Sequence, residues 1–213
     1  MSGVVHPIKK EDAPNAIETF PLFPTHVSVI KNNNKETKKE LAFLTGGKYR
    51  ANTGNQTSED TYVLNNAEVS GLRHWIEKAV GNYFADTYRP KNEVSLKITQ
   101  SWVNKTTAEG FHHKHSHPNS LVSGVYYFQG NEDDKIFFER GGSYKITIPS
   151  EDHTPFNSES WWLSARQGTL ILFPSDLVHW VNPVKGKTRY SLSFNTFPIG
   201  ILGDNQALTE LKL

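Results

Sequence analysis

A change of hydrophobic period at Pro90 constrains the fold more than any other feature of this chain. Before it, Val69, Leu72, Ile76, Ala79, Val80 and Tyr83 recur at steps of three and four, the repeat of a helix that buries one face. After it, Val94, Leu96, Ile98 and Trp102 alternate with Ser95, Lys97, Thr99 and Ser101, as in a half-buried strand with Asn104 continuing its inward face. Further short β runs are expected at 121–128, 136–138, 144–148, 169–173, 177–182 and 188–197. Gly130, Gly141-Gly142, Gly168, Pro174 and Lys185-Gly186 punctuate them. A helix followed by many short strands predicts a mainly β fold with flanking helices, best met by a double-sheet jelly roll. Aromatic residues at 12% of the chain suit that class.

The helix is expected over 67–83, with Asn65 and Glu68 as its N-terminal capping pair. Upstream, 1–18 reads as an extended or mobile lead-in broken by Pro7 and Pro14, and 20–30 as a first β segment. The polar stretch to about Thr61 reads as a short helix and a long loop. With 213 residues and no internal linker or repeat, 19–213 is expected to form a single domain.

Composition excludes several function classes. The chain has no cysteine, so disulfides, thiolate zinc sites, iron–sulfur clusters and a cysteine nucleophile are ruled out. Any metal must be held by histidine, carboxylate and water. A net charge of +1, from 23 basic and 22 acidic residues, gives no strong nucleic-acid signal. The longest apolar run, Leu170-Ile171-Leu172-Phe173, is far too short to span a membrane. Lys9, Lys10, Glu11 and Asp12 stand where a signal peptide needs apolar residues, so a soluble, cytoplasmic protein is expected.

Four of the nine histidines fall within six residues, His112-His113-Lys114-His115-Ser116-His117. A solvated loop is the bland explanation, and a metal site the better one. In an extended chain alternate residues share a face, so His113, His115 and His117 are expected to point one way and His112 the other. Pro118 favours extended geometry at His117. Ligands spaced i, i+2 call for a third from a distant strand, and His179, sharing a face with Leu177 and Val181, is the leading candidate. Taken alone, such a histidine is more often an ordinary core residue. Arg189, Ser191, Ser193 and Asn195 occupy one face of the 188–197 strand. That face is either a wet edge or the wall of a pocket in which Arg189 receives a carboxylate, with Ser191 beside it.

The run His115-Ser116-His117-Pro118-Asn119-Ser120-Leu121-Val122-Ser123-Gly124-Val125-Tyr126-Tyr127, with Trp102-Val103-Asn104 before it and Arg189-Tyr190-Ser191-Leu192-Ser193-Phe194-Asn195 after it, resembles a family of 2-oxoglutarate/iron(II) oxygenases. That family, of the prolyl hydroxylase-like superfamily, occurs in bacteria and in phages of marine bacteria. The resemblance covers about 20–197 and implies a double-stranded β-helix. It implies Fe(II) as metal, with 2-oxoglutarate and O2 as co-substrates. Succinate, carbon dioxide and a hydroxylated product would leave the site. It further implies His115, His117 and His179 as metal ligands and catalytic centre. Arg189, Ser191, Asn104 and Tyr127 become the residues that bind 2-oxoglutarate. Most such enzymes carry a carboxylate where this chain has His117. Water in the third ligand place, or a carboxylate such as Glu139, therefore stays open. The expected substrate is a peptide or small molecule, peptidyl proline first, met in the host cytoplasm if a phage encodes the chain. Oligomeric state stays open, a homodimer among the options. A cupin-like three-histidine enzyme without 2-oxoglutarate, and a catalytically silent jelly-roll binding module, are the competing functions. Loops near 46–61 and 150–160 are expected to recognise substrate.

Overall fold

The structure, a computed structural model, describes residues 20–34, 36–91, 93–142, 146, 148–203 and 208–213. In chain order it contains β1 (Ser28–Lys31), α1 (Lys38–Gly46), β2 (Tyr49–Asn52), β3 (Asn55–Ser58), α2 (Ser70–Tyr88), β4 (Val94–Thr106), β5 (His112–His115) and β6 (Val122–Gln129). Then follow β7 (Lys135–Glu139), β8 (Ser160–Ser164), β9 (Thr169–Pro174), β10 (His179–Val181), β11 (Arg189–Leu202) and β12 (Leu211–Lys212). The lead-in expected over 1–18 lies outside the described residues. So does most of the strand expected at 144–148, where Ile146 and Ile148 are exposed and belong to no strand.

Local chemistry explains most of these elements. Thr37 caps α1 and forms a capping box with Glu40, whose backbone N–H donates to Thr37 Oγ1 at 3.2 Å. The polar stretch expected to end in a long loop instead forms the β2–β3 hairpin, turned at Thr53-Gly54 with Gly54 at φ +81°. Its strands are too polar to announce themselves by alternation. In α2 the periodic face is buried as expected: Leu72, Ile76, Ala79, Val80 and Tyr83, joined by Phe84. The helix starts later and runs further than its pattern suggests. A 3-10 turn, Ala67–Val69, precedes it, and Arg89, left-handed at φ 45° just before Pro90, ends it. The expected capping pair is absent, for Asn65 Oδ1 accepts from Arg73 Nη1 at 3.1 Å instead.

Two antiparallel sheets face each other. The larger runs β1-β9-β6-β11-β4-β3-β2, with β12 on β11, and the smaller runs β5-β10-β7-β8. One face of the larger sheet packs under α2 through Tyr126, Phe128, Leu170, Leu172, Leu192 and Phe194. Its other face meets the smaller sheet through Val125, Tyr127, Ile171 and Phe173 against Ile136, Phe138 and Val181. Strict alternation along β6, β9 and β11 thus sorts side chains between a helix-side core and an inter-sheet space. In β4 that sorting is interrupted. Asn195 pairs with Gln100 but Thr196 with Ile98, so one extra residue bulges from β4. Leu96 and Ile98 therefore pack on the helix side, while Trp102 and Asn104 face between the sheets. The single inward face expected for Ile98, Trp102 and Asn104 is corrected by that bulge. Among the described residues, no helix is long and apolar enough to cross a membrane.

Candidate functional site

The inter-sheet space narrows to a cavity lined by His115, His117, His179, Arg189, Ser191, Asn104 and Tyr127, together with His112, Trp102 and Ser193. Strand pairing builds its histidine end. β5 and β10 are antiparallel neighbours in which His115 lies opposite His179, their rings 4.3 Å apart. His117 follows β5, fixed by its backbone N–H to Ser175 O at 2.8 Å. Its Nε2 lies 3.3 Å from His179 Nε2, and Trp102 stacks on the other part of its ring environment at 5.8 Å. One candidate ligand atom from each of the three histidines lies within 4.8 Å of the others. Two imidazole nitrogens about 2.1 Å from one ion, tetrahedrally arranged, stand about 3.4 Å apart, so the pair has the spacing a shared metal requires.

Hydrogen bonds already point lone pairs inward. His115 Nδ1 is 2.8 Å from the His113 carbonyl, and His179 Nδ1 is 3.0 Å from the Leu177 carbonyl. A ring nitrogen facing a carbonyl carries the proton, which leaves Nε2 as the donor atom for a metal. Burial works in the same direction by disfavouring the imidazolium. It pulls His117 down to about 4 and His179 down to about 3, with nearby His115 adding to both. His115 is lowered too, chiefly by burial and against its bond to the His113 carbonyl. No carboxylate joins this cluster among the described residues. Glu139 instead pairs with Lys114 Nζ at 2.5 Å.

Register also corrects the facing expected for His112. Between β10 and β5 the pairs run His179–His115 and then Val181–His112, two steps on one strand against three on the other. The bulge turns His112 into the cavity with His115, their rings stacked at 4.4 Å, while His113, its ring 5.1 Å from that of His115, is not among the cavity-lining residues. Burial first, then its histidine neighbours, holds His112 far below the usual imidazole range.

The opposite end of the cavity is built to receive an anion. Arg189 is 3% exposed, yet among the described residues its Nε and Nη1 have no hydrogen-bond partner, and Nη2 makes only a 3.4 Å bond to Thr106 Oγ1. A buried guanidinium without acceptors is costly, and a carboxylate seated in its fork would remove that cost. Ser191 and Tyr127, register partners on β11 and β6, flank it, both buried. The Tyr127 hydroxyl is pushed up to about 12 by burial, against the opposing pull of Arg189 and with a smaller push from Asp134. It therefore stays a donor. Asn104 donates to Ser193 Oγ at 2.9 Å and leaves its Oδ1 buried without a partner. The donor sets suit a metal at the histidines and an anionic group at Arg189.

His112, Ser193 and Trp102 were not singled out from the sequence as site residues. Ser193 carried a signal, being on the same face as Arg189 and Ser191. His112 carried none, because its facing depends on a bulge.

Residues 100–195, which include all seven residues singled out from the sequence, match the model of the family described as "Putative 2OG-Fe(II) oxygenase". No curated protein matches the chain by sequence. Solved structures similar to it include an oxidoreductase of the 2OG-Fe(II) oxygenase family from Burkholderia pseudomallei, at 15% identity over 73% of this chain and 74% of that one, TM-score 0.53. A prolyl hydroxylase from Trichoplax adhaerens, solved with a hypoxia inducible factor peptide fragment, matches at 13% identity over 80% and 83%, TM-score 0.56. HygX from Streptomyces hygroscopicus, with nickel and 2-oxoglutarate bound, matches at 13% identity over 81% and 83%, TM-score 0.52. At such identities these likenesses establish the shared double-stranded β-helix. The family match over β4 to β11, on that fold and around a three-histidine cluster, is to the 2OG-Fe(II) oxygenases, enzymes that use iron(II) and 2-oxoglutarate.

Proposed function

We propose that residues 19–213 act as one oxygenase unit that hydroxylates an amino-acid side chain, peptidyl proline first. His115, His117 and His179 would hold iron(II), and Arg189, Ser191, Asn104 and Tyr127 would hold 2-oxoglutarate. The observation that carries this reading is Arg189, a buried guanidinium with two unpartnered nitrogens in the same cavity as the histidine cluster. A three-histidine enzyme without a keto acid leaves that arginine without purpose, and a silent binding module leaves both ends unexplained.

Bound together, iron(II) and 2-oxoglutarate supply oxidising power from dioxygen, with succinate and carbon dioxide as by-products. The chain's own residues do the rest. Arg189 fixes the far carboxylate through its planar fork, and the Ser191 and Tyr127 hydroxyls can donate to the same group. Backbone carbonyls hold two of the histidines in the binding tautomer. Val125, Ile136, Phe173 and Val181 give the cavity apolar walls that exclude water.

The substrate choice draws on the likeness in fold to prolyl hydroxylases and on the surface beside His179. A groove there runs between 139–142 and 174–178 and is also lined by Tyr88, Glu159 and residues 23–26. Its open shape suits an extended peptide. The test is iron-dependent succinate formation from 2-oxoglutarate with proline-containing peptides and with matched peptides carrying alanine for proline. Faster turnover and a gain of one oxygen atom only in the proline series are expected. Equal turnover in both series would remove proline as the substrate, and no succinate with any substrate would remove the site assignment.

A further inference from the structure

We infer that two copies of this chain pair edge to edge through β8, antiparallel about a two-fold axis at Trp162. β8 ends the smaller sheet, whose order is β5-β10-β7-β8. A terminal strand exposes a row of unpaired main-chain groups, and a charged side chain or a proline is the usual guard against a second chain adding there. The other terminal strands each carry a guard: Lys31 in β1, Arg50 in β2, Lys114 in β5 and Lys212 in β12. β8, with the sequence Ser160-Trp161-Trp162-Leu163-Ser164, has none. Side chains from both of its faces, Trp161 and Trp162, line one groove together with Ile146, Ile148 and Phe156, so the groove runs along the free edge. These five are between 40% and 76% exposed. That amounts to roughly 500–600 Å² of largely apolar surface on each copy, and a specific interface needs about 1,000 Å² over both.

Pairing with β7 fixes which main-chain groups of β8 face outward. Arg140 N–H donates to Glu159 O and Ala165 N–H donates to Asp134 O, at 2.8 Å each. With Phe138 opposite Trp161 and Ile136 opposite Leu163, residues 159, 161, 163 and 165 turn their main-chain groups to β7. Ser160, Trp162 and Ser164 turn theirs away, where they have no partner among the described residues. A two-fold axis at Trp162 pairs all of them, Trp162 with its own copy and Ser160 with the partner's Ser164. An axis at Trp161 or Leu163 would leave Ser164 or Ser160 without a match in β8. The near-palindrome also sets Trp161 against the partner's Leu163. On the outer face Trp180, Phe137 and Trp162 stand opposite one another on β10, β7 and β8, with Phe137 and Trp180 stacked at 5.3 Å. Pairing brings the two Trp162 rings side by side and carries that row into the second copy. The strand ends complement each other in charge. Glu159, exposed and without an ion pair among the described residues, comes beside the partner's Arg166, whose own contact to the exposed Glu132 is loose at 3.9 Å. The two-fold makes that pair twice.

The test is the state of the full chain in solution. Sedimentation velocity over about 1–100 μM, where an interface of this size dissociates, should show a dimer whose share grows with concentration. A monomer throughout would overturn the inference. Ser164→Pro removes an outward N–H and leaves the bonds to β7 in place. With two hydrogen bonds lost by symmetry it should weaken dimerisation by about tenfold or more, with circular dichroism like that of wild type. Dimerisation as tight as in wild type would put the interface elsewhere. The chain has no cysteine, so introduced cysteines read the register even if the proline variant does not fold. Trp162→Cys should give a disulfide-linked dimer on mild oxidation, because opposed hydrogen-bonded residues hold their Cα atoms about 5.5 Å apart, within disulfide reach. Ser164→Cys alone should stay unlinked, and combined with Ser160→Cys it should link. No linked dimer from Trp162→Cys, or equal linkage from Ser164→Cys alone, would also overturn the inference.

Discussion

Replacing Arg189 with methionine separates co-substrate recognition from metal binding. Arg189 is 3% exposed, and among the described residues the only hydrogen bond of its guanidinium is the 3.4 Å contact to Thr106. Nearly all of its donor capacity is therefore held for a ligand. Truncating one member of a desolvated charge pair typically costs about 2–5 kcal/mol, equivalent to roughly 30- to 5000-fold in affinity. Arg189→Met should weaken 2-oxoglutarate binding within that range and leave iron(II) affinity close to wild type. The ligand-free protein behaves in the opposite sense, because the substitution removes a buried charge with no partner. Its melting temperature should hold or rise, while the stabilisation conferred by 2-oxoglutarate, about 2.7 kcal/mol at 100 times its Kd in wild type, falls below about 1 kcal/mol at the same concentration. Lysine should restore only part of the affinity, since a point charge does not reproduce the fork. Isothermal titration with iron-loaded protein under nitrogen, beside thermal melts of each variant, reads all of these. Unchanged 2-oxoglutarate affinity in Arg189→Met would refute the assignment.

The histidine cluster makes the metal-free protein sensitive to acid. Burial lowers His117 to about 4 and His179 to about 3, against about 6.5 in an unfolded chain, so the unfolded state takes up protons first as pH falls. Stability contributed by these groups is whole above about pH 6.5 and is lost progressively toward pH 4 and below. Denaturant melts of the metal-free protein across that range should show the decline. A flat profile would contradict the burial of the rings. Gly124→Ala tests the packing beneath the site: a Cβ there would collide with the Phe194 ring and come within 2.8 Å of Leu172 Cδ2. Overpacking of this kind typically costs about 1–3 kcal/mol, read as a lower denaturation midpoint at unchanged slope.

Much of this was legible because it depends on local period and on side-chain chemistry. The face of α2 follows from steps of three and four, and the sorting of β11 into Arg189, Ser191 and Ser193 against Tyr190, Leu192 and Phe194 follows from alternation. What escaped depends on partners. The β4 bulge moves Ile98 and Trp102 to opposite faces, and the bulge in β5 brings His112 into the cavity beside His115. Neither leaves a mark in composition, since an extra residue in a strand is defined only by the strand across from it. The β2–β3 hairpin was hidden by its polarity, with only Thr53-Gly54 to signal a turn.

The most direct test of the account is the visible spectrum of the protein with iron(II) and 2-oxoglutarate under strict exclusion of oxygen. Chelation of the metal by the keto acid within the histidine site predicts a metal-to-keto-acid charge-transfer band that titrates to one iron per chain. The same band should be absent in His179→Ala, which removes one of three ligand side chains, and in Arg189→Met should appear only at much higher 2-oxoglutarate. Iron bound at one equivalent with no such band at any 2-oxoglutarate concentration would contradict the central claim.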